Sequence, residues 1–125
     1  MALIPAPVIL SKCLVKNASP ITLEIGIGNA QLTQGSYSVK RTVSSPASAG
    51  GNLASGVPVN LGPGSQLAGQ RLSVLVTVVA TQSVDTTLTL KLTGGTTDIH
   101  ITNSTQAGNI GDVVVYEAYI RFTKS

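Results

Sequence analysis

Apolar residues recur at every second position through residues 21–27, where Ile21, Leu23, Ile25 and Ile27 alternate with Thr22, Glu24 and Gly26. Only an extended strand gathers all four on one side, because a helix repeats every ~3.6 residues and would scatter them around its axis. The same period governs residues 86–93, where Leu88, Leu90 and Leu92 face one way and Thr87, Thr89, Lys91 and Thr93 the other. It returns briefly at Ile99 and Ile101. Threonine on the outer side suits a strand, since a β-branched side chain loses little freedom there.

Residues 72–81 are apolar on both sides: Leu72, Val74, Val76, Val78 and Ala80 alternate with Ser73, Leu75, Thr77, Val79 and Thr81. Such a strand calls for a central position, with the domain covering one face and a neighbouring subunit available to cover the other. Residues 112–124 behave similarly. Val114, Tyr116, Ala118, Ile120 and Phe122 form a continuous apolar face, on which Tyr116 and Phe122 are expected to plug one end of an aliphatic core. Turn signals separate these runs at residues 17–20, 28–29, 35, 62–64, 83–85, 94–95 and 107–111. Weaker strands at residues 8–16, 37–43 and 57–61 bring the total to about seven or eight, and no stretch carries a helical period. The expected fold is all-β, an antiparallel β-sandwich or jelly roll forming one domain over residues 1–125.

Composition narrows the function. The 125 residues include no Trp and only 3% aromatics, so Val, Ile and Leu must supply the core, and exposed rings for sugar binding or base stacking are lacking. Charged residues make up 10%, against about 25% in ordinary soluble domains, so the surface must be covered by small polar groups or by another protein. The net charge of +3 comes from eight basic residues, of which only Lys40 and Arg41 adjoin. That distribution predicts no nucleic-acid partner. No run reaches the ~18 apolar residues of a membrane span, and the N-terminal residues lack the pattern of a standard signal peptide. The single cysteine, Cys13, reads as a small buried hydrophobe.

Catalysis needs convergent titratable groups, and the supply is one His, one Cys and five carboxylates spread along the chain. His100 and Asp98 share the polar side of one strand but have no third ligand near them in sequence, and a metal site needs three or four. Glu117 and Arg121 stand four apart on one strand face and are expected to form a structural ion pair or rim. The glycines at residues 49–52 and 61–65 lack the Lys-Ser/Thr continuation of a phosphate loop. No catalytic residue, no cofactor and no metal is expected.

Two stretches depart from the strand pattern. Residues 42–69 are rich in Gly, Ser and Pro, with almost nothing large enough to pack, and are expected to form a long extended arm or loop. Residues 1–10 carry Pro5 and Pro7, which favour an extended backbone without donors and suit a strap lying on a surface. Candidate contact residues are Ile4, Pro5 and Pro7 on the strap and Asn52, Leu53, Val57 and Val59 on the arm. A short chain of this kind, with an all-β core, extended ends and few charges or rings, resembles the small cement or decoration proteins of tailed-phage heads, and also some tail proteins. The resemblance implies a non-enzymatic virion protein made in the host cytoplasm. It further implies a dimer or trimer that clamps neighbouring capsid subunits through apolar contacts and arms. The alternative is a lectin-like or adhesin-like ligand-binding module with its site on loops near Asp85, Asp98 and Asn103.

Overall fold

The structure is a computed structural model that describes residues 3–16, 19–42, 46–82, 85–96, 98–106 and 109–124. Residues 1 and 2 of the strap, residues 43–45 of the arm and parts of the turns at 17–20, 83–85 and 107–111 lie outside the described residues. Among the described residues ten strands run in chain order as β1 (Leu3–Pro5), β2 (Ile9–Val15), β3 (Pro20–Gly28), β4 (Ala30–Lys40), β5 (Ala49–Asn52), β6 (Val59–Pro63), β7 (Arg71–Ala80), β8 (Asp85–Thr93), β9 (Ile99–Gln106) and β10 (Val113–Lys124). A single helical turn, α1 (Gly64–Leu67), sits between β6 and β7. The expected all-β class holds, with ten described strands in place of seven or eight.

The extra strands have a physical origin. A six-stranded sheet is ordered β1-β10-β7-β4-β5, with β2 following β1 along the same edge of β10. Both N-terminal strands run parallel to β10, β1 against Val113–Val115 and β2 against Ala118–Lys124. The prolines interrupt the ladder between them without breaking the association, because the Ala6 amide still donates to the Val115 carbonyl at 2.8 Å. The passage expected as a strap is therefore an edge of this chain's own sheet.

Gly35, read as a turn, lies instead inside the eleven-residue β4. A Cβ there would sit 3.0 Å from the Leu53 carbonyl oxygen, so the glycine lets the chain after β5 come close enough to bury the Leu53 side chain. The Leu53 amide donates back to the Gly35 carbonyl at 2.8 Å. Residues 46–69, expected as an arm, thus supply an edge strand to each sheet and the helical turn. A second sheet, β6-β3-β8-β9, is antiparallel throughout.

The sheets share one core. Ile21, Leu23 and Ile25 of β3, Leu88, Leu90 and Leu92 of β8, the even-numbered residues 72–78 of β7 and 114–122 of β10 are all buried, as the two-residue period requires. Tyr116 and Phe122 both point inward, but six residues of strand separate them by roughly 20 Å, so they fill opposite parts of β10's inner face rather than one end.

Polar ties cross the interior at two points. Thr86 of β8 is completely buried, and its hydroxyl donates to the Thr105 carbonyl at 3.1 Å. The Tyr116 hydroxyl lies 2.6 Å from that same Thr86 oxygen and 3.0 Å from the Thr86 carbonyl, to which it donates. Buried Gln70 accepts from the Ser48 hydroxyl at 2.6 Å and donates to the Gln66 carbonyl at 2.8 Å, binding the start of the Gly-rich passage to α1. Its own carbonyl accepts from the Phe122 amide at 2.9 Å.

Gly94 closes the turn after β8. Its φ is +97°, and an added Cβ would collide with the Pro20 carbonyl. Two variants follow from these contacts. Tyr116→Phe should lower stability by about 1–2 kcal/mol with an unchanged urea m-value, because it removes the hydroxyl that joins the two sheets. Gly94→Ala should cost more than ~1 kcal/mol through backbone strain alone. A midpoint equal to wild type in urea unfolding of either variant would contradict the geometry given for it.

Candidate functional site

The inner side of β7 is fully covered, while its outer side is not. Leu75 remains 40% exposed at the centre of the six-stranded sheet, with Thr77 and Val79 half-buried. The cross-strand register sorts this outer face into transverse rows. Leu3, Val113 and Val79 form one row, followed by Pro5, Val115 and Thr77. The next holds Glu117, Leu75 and Ser36, and beyond it lie Leu10, Tyr119, Ser73 and Ser38. Leu3 is 71% exposed and Leu10 77%.

The last row is charged. Lys12 of β2 stands opposite Arg121 of β10, Arg121 opposite Arg71 of β7, and Arg71 opposite Lys40 of β4. Four cations from four adjacent strands line up across the sheet, with Arg41 immediately after Lys40. Arg71 is shared by two depressions: one of about 310 Å³ lined by Leu10, Lys40, Ser73 and Tyr119, and one of about 460 Å³ lined by Arg41, Thr42, Gly69, Gln70 and Arg121. Glu117, expected near Arg121, instead accepts from the Tyr119 hydroxyl at 3.3 Å.

The residues singled out from sequence fall in three separate places. Ile4, Pro5 and Pro7 lie along the β10 edge: Ile4 is half-buried opposite Val114, Pro5 is exposed opposite Val115, and the Pro7 carbonyl accepts from Asn103 Nδ2 at 3.2 Å. Asn52 is exposed on β5 at the opposite edge, while Leu53 beside it is buried in the core. Val57 is exposed, and Val59 is a half-buried residue of β6 opposite Leu23 in the other sheet. The register rows of the outer face join none of these three groups to another except through the sheet itself. Strand periodicity signalled the apolar outer side of β7, but the cation row required the register and had no signature along the chain.

Polar groups considered for ligand chemistry do not converge. His100 faces Lys91 across the β8–β9 ladder, and Lys91 faces Glu24. Among the described residues no three His, Cys, Asp or Glu side chains gather as a metal group would. Asp85 begins β8, and Asp98 precedes Ile99, the partner of Leu92 at the other end of that strand; this separates the two acids by roughly 23 Å. No helix among the described residues is long and apolar enough to cross a membrane.

Comparison with protein-family models, curated proteins and solved structures finds no match for this chain.

Cys13 is buried opposite Phe122 on the inner face. Burial, with a smaller push from the Asp98 carboxylate, raises its thiol above the ordinary value of 9.0. The folded chain therefore keeps this proton at a pH where the unfolded chain releases it. Cys13's contribution to stability should be complete below pH 9.0 and decline as pH rises beyond it. Urea unfolding of wild type and Cys13→Ala at neutral pH and at pH about 10 checks this, since the stability gap between them should narrow at the higher pH.

Proposed function

We propose that this chain is a non-enzymatic structural subunit of a virion or similar large assembly, a β-sandwich cement or decoration protein. Its main contact surface would be the outer face of the six-stranded sheet. The observation that carries this reading is the row pattern on that face, in which Leu3, Val113, Val79, Val115 and Leu75 expose a contiguous apolar field on rigid paired strands. A sheet side of this composition stays in water at a cost that a partner surface removes.

The dimensions fit. Five strand positions span roughly 19 Å at the usual spacing and β10 is roughly 40 Å long, giving a face of about 750 Å², comparable to the ~800 Å² that each partner contributes to a standard interface. The chemistry of the face supports binding rather than turnover, because its titratable groups are one carboxylate held by a tyrosine and a row of cations. The edge residues Pro5 and Pro7 would widen the contact beyond β10, with Asn52 at the opposite edge, while Ile4, opposite buried Val114, packs toward the core. The alternative, a lectin-like or adhesin-like module, has less support, since Asp85 and Asp98 stand at opposite ends of β8.

Size exclusion coupled to light scattering tests the proposal. A discrete dimer, trimer or larger particle is expected, and Leu75→Lys should return it to monomer while leaving the unfolding midpoint within about 1 kcal/mol of wild type, because the new ammonium would stand beside Glu117 on an open face. A wild-type chain that stays monomeric at concentrations well above 10 μM would reject self-assembly through this face.

A further inference from the structure

We propose that the transverse row Lys12–Arg121–Arg71–Lys40, flanked by Arg41, is the docking site for an acidic segment of a protein partner. It names the partner chemistry within the assembly reading given above.

The argument begins with cost. Like charges directly opposite one another in a ladder are destabilising, and here Arg71 has a cation opposite it on both sides. Five of the eight Lys and Arg of the chain gather at this end of one face, although they come from four strands and the residue after β4. Nothing in the fold requires it, since the outer positions of a strand accept Ser or Thr, as Ser73 and Ser38 do in the adjoining row. A surface that keeps an uncompensated cost of this kind is suited to a ligand that removes it.

A second copy of this chain does not supply the missing charge. The outer face carries one carboxylate, Glu117, already bonded to Tyr119, so a self-contact centred on Leu75 leaves the cation row at its margin with its charge unmatched and open to a different partner. Nucleic acid fits less well than protein. The row spans only about 14 Å, three strand spacings, and the one ring beside it is Tyr119. A phosphate chain running along the strands would meet Glu117. An extended acidic peptide laid across the strands matches better: carboxylates at alternate positions repeat every ~6.7 Å, so two or three fit along the row. Leu10 and Tyr119 line the same depression as Lys40 and Arg71 and offer apolar contact for the intervening side chains. The guanidinium groups of Arg71 and Arg121 suit bidentate carboxylate binding.

The experiment measures binding of labelled poly-L-glutamate, and of a single-stranded oligothymidylate, to three forms of the full chain at low salt. These are wild type, Arg71→Gln with Arg121→Gln, and a control of equal change in net charge, Lys91→Glu, on the exposed side of β8 in the other sheet. Poly-L-glutamate affinity should fall about tenfold or more in the row variant and no more than about twofold in the control. The row variant should also melt at the wild-type temperature or a few degrees above it, because it loses like-charge repulsion. Equal losses in the two variants, or no binding at all, would overturn the docking site while leaving any discrete oligomer, and hence the assembly reading, untouched. Tighter, row-dependent binding of oligothymidylate would overturn the assignment in favour of nucleic acid. A row variant that melts several degrees lower would also overturn it, since the cations would then be satisfied within the chain.

Discussion

The antiparallel register of β7 against β10 determines what the rest of the structure can be. It sets Leu72, Val74, Val76 and Val78 beside Ile120, Ala118, Tyr116 and Val114 on the inner side, which creates one continuous apolar wall. A slip of one residue would carry that entire set into water, so burial enforces the register strongly. The same pairing fixes which outer positions stand side by side, and so gathers the apolar field near Val113 and the cations near Arg121. Core and contact surface are thus two readings of one alignment. Tyr116 extends the constraint to the second sheet through Thr86, so the facing strands are held by directional bonds as well as by area.

The long strands were legible because their signal is local. Residues 21–27 and 86–93 announce a two-residue period that β3 and β8 follow, and the doubly apolar residues 72–81 anticipate the central position that β7 takes between β10 and β4. What could not be read depends on proximity between distant residues. Gly35 resembles a turn until Leu53 is placed against it, and β5 has almost no side chains with which to declare itself. The basic residues look scattered because neighbours across a ladder are remote along the chain, as Lys12 and Arg121 are. Proline misled in one respect: it marked an extended strap, but the same extended backbone pairs with β10 wherever its amides are free to donate.

The Gly- and Ser-rich passage shows how a stretch without bulk acquires a fixed place. Its order does not come from side-chain packing, except at Leu53, Leu61 and Leu67. It comes from backbone pairing of β5 with β4 and of β6 with β3, and from one buried amide, Gln70, which holds Ser48 with its oxygen and Gln66 with its nitrogen. A hub of this kind serves segments that approach from different directions, and small residues are what permit so close an approach. The passage is thereby committed to its own domain, and the exposed groups at its margin, Asn52 and Val57, are held on a rigid base.

Parallel pairing of β1 and β2 with β10 also orders events in time. Of the described strands β10 is the last to be synthesised, yet it stands between β7 and both N-terminal strands. Until it arrives, β7 has one open edge and β1 and β2 have no partner in their sheet. Strands β1 and β2 must wait for β10, which follows them by about a hundred residues. Non-local closure of this kind folds slowly and exposes apolar edges meanwhile. A nascent chain stalled before residue 113 would therefore present the ribosome's surroundings with a partial sheet ending at β7 and two earlier strands with nothing to pair against.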